Sequence, residues 1–485
     1  MKNLLVSLPI TLKKIMSKIT KNKLGIVFVV DKNNKLLGSI SDGDIRRGML
    51  KGLDIEDKVS AKSKIIEKSP FSLNFNTSVP EIWKYLDKEY KGRLIKCIPL
   101  VDKSKKLIDI STPQRLRKFS VAQPSIGEHE LSNIIDCVSS GWISSKGSYI
   151  GKFESEFSNY LGGGNVVSVS SGTTAIQLGL SALGIGEGDE VLVPNFTFAA
   201  TINAIIHSKA TPIIVDIDKN TWTISLQDIQ RKITKKTRAI VPVHIYGQPY
   251  HIDEIINFSK KNNLYVIEDC AEAVGAKYKK RLVGLDGDCS CFSFFANKTI
   301  TTGEGGAVVF KDKKVASKAR ILRDHGMSQT VPYWHDYAGY NFRMTNMQAA
   351  IGLAQLKRVN IFIKRRKNIF NYYNNNLKKN KRITFLPNNE WSENSYWSYT
   401  IKINNLGLQK RDKLLEQLKK RGIECRPAFY PLNLMKPYKI FGHKKYEVTQ
   451  EISFNSISLP TSNDLSKTEA DYISSVFLEE LKKIS

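Results

Sequence analysis

Cysteine is scarce in this chain, six in 485 residues, and Cys97, Cys137, Cys270, Cys289, Cys291 and Cys425 follow no disulfide framework. Cys289-Ser290-Cys291 is not a zinc-ligand spacing, and the remaining cysteines and seven histidines assemble no ligand set, so no metal is expected. Scattered free thiols predict a reducing, cytoplasmic setting. No run of eighteen apolar residues occurs, so no membrane-spanning helix is expected, nor is a signal peptide with a small-residue cleavage site recognisable. Acidic side chains are also in deficit: 46 Asp and Glu face 74 Lys and Arg, a formal net charge of +28. Such an excess attracts polyanions. Yet no Arg-rich arm, helix-turn-helix pattern or aromatic-basic RNA motif is present, so no nucleic-acid partner is expected. The lysines are spread among abundant Asn and Ile, as in proteins biased toward A/T-rich codons, with a remainder that attracts an anionic ligand.

What the chain does have is length for more than one domain. From Pro124 onward, short apolar runs ending at turns (residues 190–194, 211–216 and 239–244) alternate with helical stretches (174–183 and 251–262). This is the pattern of an α/β domain with a mostly parallel, buried sheet and helices on both faces. The basic stretch 357–367 reads as a long helix leading into a smaller C-terminal α+β subdomain.

Three segments of that domain carry chemistry. Residues 293–306 read SFFANKTITTGEGG, with Lys298 just past an apolar strand and before a glycine-rich turn. A lysine desolvated there has a lowered pKa and acts as a Schiff-base nucleophile toward an aldehyde cofactor; a surface lysine after a strand is the plainer alternative. Asp269 ends the run Leu264-Tyr265-Val266-Ile267-Glu268-Asp269, where an open α/β sheet presents ligand groups. It either pairs with a protonated pyridine nitrogen or caps the next helix. Upstream, Ser170-Ser171-Gly172-Thr173-Thr174 opens a helix with small and hydroxyl residues, a phosphate seat or an ordinary N-cap. In chain order these supply a phosphate seat, a ring-nitrogen partner and a Schiff-base lysine.

With the segment Gly339-Tyr340-Asn341-Phe342-Arg343-Met344-Thr345-Asn346 added, the sequence resembles the DegT/DnrJ/EryC1/StrS sugar aminotransferases, fold-type I pyridoxal 5'-phosphate enzymes. Within that family NKTITTGEGG looks closest to the GDP-perosamine synthases. The resemblance covers residues 121–485. It implies that Lys298 carries the cofactor and moves the proton, and that Asp269 pairs with the pyridine nitrogen. Gly172, Thr173 and Ser293 would hold the cofactor phosphate, Phe198 would stack on its ring, and Glu272 would lie beside it. Asn341 would reach the phosphate of the neighbouring subunit, implying a homodimer with shared active sites. His325 and Tyr430 would contact the sugar. Many relatives carry histidine where this chain has Asn433. The implied reaction transfers an amino group from L-glutamate to a nucleotide-linked 4-keto-6-deoxy sugar, giving a 4-amino sugar for surface polysaccharide. GDP-4-keto-6-deoxymannose is favoured over UDP- or dTDP-linked sugars. Related sugar dehydratases replace the lysine with histidine, which Lys298 argues against. A nucleotide-sensing regulator on a relic aminotransferase fold is the other alternative, and the retained lysine, aspartate and phosphate seat argue against that.

Residues 1–120 lie outside this resemblance and carry 26 Lys and Arg against 12 Asp and Glu. Two halves repeat a hairpin pattern: residues 25–31 and 36–44, then residues 96–102 and 106–111. They resemble a tandem cystathionine-β-synthase (CBS) pair, an α+β module that commonly binds adenine nucleotides. Ser41 and Asp44 match its Ser/Thr-x-x-Asp element, in which the acid meets a ribose. Ser111-Thr112-Pro113-Gln114 in the second repeat lacks the acid, so at most one purine-nucleotide site is expected. A packing module without a ligand is the alternative. The expected domains are residues 1–120 (CBS pair), 121–365 (large cofactor-binding domain) and 366–485 (small α+β subdomain).

Overall fold

In the first repeat, the β-branched run of β2 (Ile26–Val30) pairs across a polar turn with β3 (Leu36–Ser41), and β1 (Leu5–Val6) joins β2 in parallel. The computed structural model describes residues 3–86, 89–90, 93–113, 115–116, 118–328, 330–442 and 445–484. Cα proximity divides the chain into two units, Met1–Phe119 with Gln417–Glu424, and Ser120–Glu416 with Cys425–Ser485.

The second repeat rebuilds the first. Strand β4 (Leu73–Asn74) lies parallel to β5 (Ile98–Val101), which pairs antiparallel with β6 (Leu107–Ser111). The likeness extends to the turns. Asp31 Oδ1 accepts from the amides of Asn33 and Lys35, and Asp102 Oδ1 from those of Ser104 and Lys106. Asn34 and Lys105 both take left-handed φ, 61° and 63°. The turns then bond to each other, Leu36 N–H to the Lys105 carbonyl and Leu107 N–H to that of Asn34. Helices α1 (Leu12–Asn22) and α2 (Asp42–Met49) close the first repeat over Val27, Val29 and Ile40. Gln114, on which the missing acid of the second repeat turns, lies outside the described residues.

The larger unit is built on a seven-stranded sheet. Its strands are β7 (Asn165–Val169), β8 (Glu190–Pro194), β9 (Thr211–Val215), β10 (Thr237–Ile240), β11 (Tyr265–Asp269), β12 (Cys289–Ser293) and β13 (Gly306–Phe310). Their spatial order is β7-β13-β12-β11-β10-β8-β9. Six run one way, as the apolar runs lead one to expect of a mostly parallel sheet, and β13 alone runs against both its neighbours. Successive residues alternate between two cores. Val166, Leu192, Ile240, Val266 and Phe292 enter one; Val167, Val191, Ala239, Ile267 and Cys291 enter the other. Burial on both faces is why these strands read as continuous apolar runs. The strand expected at residues 239–244 ends at Ile240; Pro242 has no N–H to give a neighbour, and pairing resumes only as a single bridge between Val243 and Asp269.

Helices α3 (Gly172–Ala182), α4 (Ala199–His207) and α5 (Ile252–Lys261) connect the strands. The basic stretch expected as one helix is divided: α6 (Asn346–Lys357) ends at Arg358 and α7 (Val359–Leu377) continues. A four-stranded antiparallel sheet follows, with β14 (Ile383–Phe385), β15 (Tyr399–Ile403), β16 (Arg426–Pro427) and β17 (Ser456–Leu459) in the order β14-β15-β17-β16. Helix α8 (Lys467–Lys483) packs on α7.

Candidate active site

The parallel strands deliver their C-terminal ends to one edge of the sheet, where ligands of open α/β folds bind. Adjacent acids at the end of β11 are separated by strand alternation. Glu268 faces a core and is fully buried. Its Oε1 accepts from the amides of Asp286 and Gly287 and from Ser290 Oγ, and its Oε2 meets His244 Nε2 and Tyr250 Oη, each at 3.2 Å. Asp269 faces the other way. It is 4% exposed, and its Oδ2 accepts from Thr201 Oγ1 at 2.8 Å and its Oδ1 from the Ala271 amide at 3.1 Å. Burial pushes the Asp269 carboxyl above the ordinary range, with Thr201, Ala271 and Lys298 pulling it back.

Beyond β12 the chain turns tightly, Lys298 N–H bonding to the Phe295 carbonyl, and the Lys298 side chain folds inward to 13% exposure. Its Nζ lies 3.8 Å from Glu272 Oε1 and 4.0 Å from the centroid of the Trp397 ring. Burial lowers the lysine's pKa, against Glu272 and Asp269, which raise it. Glu272 is pushed up to about 7 by burial, against the pull of Lys298. Glu272 Oε2 accepts from the Tyr246 amide, a bond that Tyr246 reaches in a left-handed conformation (φ 50°).

At the start of α3, Ser171 and Thr174 form a capping box. The amides of Gly172 and Thr173, in the first turn, are left without an intrahelical acceptor. A Cβ on Gly172 would lie 2.7 Å from that of Ser293, so only glycine lets β12 approach this turn. Phe198, which its apolar surroundings in the sequence would assign to a core, is the N-cap of α4 and 60% exposed, its ring 5.9 Å from Phe429.

The remaining expected residues stand apart. His325 is exposed at the end of a helix with φ 58°, its amide bonded to the Tyr340 carbonyl. Asn341 is exposed and accepts from Arg343 Nε. Tyr430 is held by Arg411, whose Nη2 donates to its hydroxyl at 2.6 Å. Among the described residues no hydrogen bond joins His325, Asn341 or Tyr430 to Lys298, Asp269 or Glu272. Asn433 is buried; its Oδ1 accepts from Asn195 Nδ2, and its amide donates to Asn195 Oδ1. Thr201, Tyr246, Arg366 and Trp397 escaped sequence reasoning. Arg366 lay within the basic stretch 357–367, and Thr201 three residues beyond Phe198, but nothing in either segment marked them.

Pyridoxal phosphate fits these groups. Two free helix-turn amides suit a phosphate, an exposed aromatic ring suits a planar heterocycle, and a buried carboxylate suits a protonated ring nitrogen. When bound, that cofactor supplies an electron sink for the carbon that gains or loses the amine. The chain is a transaminase dependent on this cofactor. It belongs to the DegT/DnrJ/EryC1/StrS aminotransferase family, whose profile matches residues 124–477. It is 43% identical to the GDP-perosamine synthase of Escherichia coli O157:H7 over 74% of this chain and 97% of that protein. It is 39% identical to that of Caulobacter vibrioides, again over 74% and 97%. Spr1654 of Streptococcus pneumoniae, solved in its PLP form, superposes with a TM-score of 0.72 at 31% identity, covering 76% of this chain and all of that one.

Residues 2–51 match the CBS domain family. Within that unit a cleft of about 780 Å³ is lined by Ser41, Asp44, Arg47, Phe71 and Lys96, among others. Ser41 and Asp44 also cap α2: Asp44 Oδ2 accepts from the Ser41 amide and hydroxyl, and Asp44 Oδ1 from Arg47. No helix of the described residues is long and apolar enough to cross a membrane.

Proposed function

We propose that this enzyme transfers the amino group of L-glutamate to the 4-keto group of GDP-4-keto-6-deoxymannose, making a 4-amino sugar for surface polysaccharide in the cytoplasm. Sequence identity of 39–43% to GDP-perosamine synthases along nearly their whole length carries the reading. Six free thiols, five of them buried, accord with a reducing compartment. In this reading residues 1–120 are a regulatory module, 121–365 the cofactor-binding domain and 366–485 a small domain.

Each site residue has a part in it. The amides of Gly172 and Thr173 with Ser293 hold the cofactor phosphate, Phe198 fixes the plane of the ring, and Asp269 keeps its nitrogen protonated. Lys298 would attach the cofactor, and its Nζ would serve as the acid and base for the proton that amine transfer moves. Glu272 steadies the Lys298 amine, and His325 and Tyr430 face the sugar. Asn341 serves the neighbouring subunit of a homodimer. The helix Glu128–Ser140 supports that dimer, since Leu131, Ile135 and Val138 form a stripe more than half exposed to solvent.

Incubating the protein with glutamate and GDP-4-keto-6-deoxymannose, with mass spectrometry of the nucleotide sugar, tests the assignment. An aminated product is expected. Amination of a UDP- or dTDP-linked keto sugar in its place would overturn the choice of nucleotide.

The CBS cleft is proposed to take a purine nucleotide, its ribose on Asp44 and its phosphate near Ser41 and the cations. Asp44→Ala is expected to weaken ATP or AMP binding by about tenfold or more in isothermal titration. It would also cost α2 about 1 kcal/mol of capping, which thermal melting can monitor separately. Unchanged affinity would sink the assignment.

A further inference from the structure

The turn bearing Lys298 is fastened by residues that no motif identifies. The Trp397 indole Nε1 donates to the Asn297 carbonyl at 2.9 Å, and the ring face lies 4.0 Å from Lys298 Nζ. Arg366, almost wholly buried on α7, donates from Nη2 to the Lys298 carbonyl at 3.3 Å and from Nη1 to the Trp397 carbonyl at 3.1 Å. Its Nε donates to Asn463 Oδ1 at 3.0 Å. One guanidinium therefore ties the lysine and the tryptophan together through both backbones, and its rigid fork makes that possible. Trp397 cannot swing away. Its ring stacks on Tyr246 at 6.2 Å and 12°, and Tyr246 is itself pinned by Glu272 and Phe429.

A transaminase lysine is bonded to its cofactor for only part of each cycle. For the rest, its amine must stay within reach of the reacting carbon. An ammonium is held well over an indole face, where the ring quadrupole attracts it. We propose that Trp397 is a positioning residue whose ring face, together with the Glu272 carboxyl, holds the free amine of Lys298 while it is detached from the cofactor. The proposal rests on Lys298 being the lysine that bears the cofactor. The charged groups facing the amine are Glu272 and Asp269, which favour its protonated form, and Arg366 and Arg426, which oppose it.

The test uses full-length protein freed of cofactor with hydroxylamine. Acetylation of Lys298 by acetic anhydride is followed against pH by peptide mass spectrometry, in wild type, Trp397→Phe and Trp397→Leu. Loss of the ring face removes a preference for the ammonium, so the leucine variant should lower the midpoint by about one pH unit. Phenylalanine keeps a face but loses the bond to Asn297, and should stay near wild type. Leucine overlaying wild type, or phenylalanine shifting as far as leucine, would overturn the proposal. If the leucine variant does not fold, Trp397→Met takes its place with the same expected shift. Separately, borohydride reduction of the holoenzyme should leave the pyridoxyl mass on Lys298. That mass on another lysine would remove the underlying reading, whereas its presence on Lys298 with unshifted profiles would remove this proposal alone.

Discussion

Replacing Lys298 by alanine is expected to lower the amination rate by about 10⁴-fold or more, because on the proposed assignment it removes both the attachment point and the group that moves the proton. The fold should survive. The substitution takes a largely buried cation out of the protein, and its neighbour Glu272, held up to about pH 7 by burial, can take a proton once the ammonium is gone. Near-wild-type melting with no product and no visible absorbance band above 400 nm would therefore mark chemistry lost rather than structure. Product formation at even one per cent of the wild-type rate would sink the assignment of Lys298.

Asp269→Asn is the second large effect, expected to reduce kcat on the order of 10³-fold. Asparagine keeps the shape of the side chain; its oxygen can still accept from the Ala271 amide while its Nδ2 donates to Thr201 Oγ1, so the end of β11 should keep its form. It carries no charge, however, and cannot keep a proton on a ring nitrogen. The buried position sharpens the contrast, since an ion pair formed in a site 4% exposed is screened little by solvent. Steady-state kinetics alongside a cofactor titration would separate the outcomes. A fall in kcat with cofactor still bound supports the ring-nitrogen role; a rate within tenfold of wild type would refute it.

The sequence marked Lys298, Asp269 and the Gly172 turn as candidates because each lies in a contiguous strand-turn segment, where local pattern and tertiary place coincide. Phe198 was harder. Its apolar surroundings suggest a core residue, and only its position ahead of α4 turns the ring outward. The direction of β13 could not be read at all, since Gly306–Phe310 is equally apolar whichever way it runs. The partners of Lys298 were hidden by distance. Asn297 meets a tryptophan 100 residues away, and the Lys298 carbonyl meets an arginine 68 residues away in a stretch that looks like solvent-facing basic helix. The CBS repeat was visible in its hairpins. The matching turn aspartates, Asp31 and Asp102, became meaningful only when each was seen to accept from the amides two and four residues on.

Arg366 has a consequence for any attempt to exchange parts between relatives. The lysine turn comes from one segment, the arginine from α7, the tryptophan from just before β15, and Asn463 from near the end of the chain. A chimera joined anywhere between residues 298 and 463 would draw these contacts from two different parents. Crossovers that keep them intact lie upstream of Asn297 or beyond Asn463, so residues 297–463 travel with Lys298 as a single heritable block.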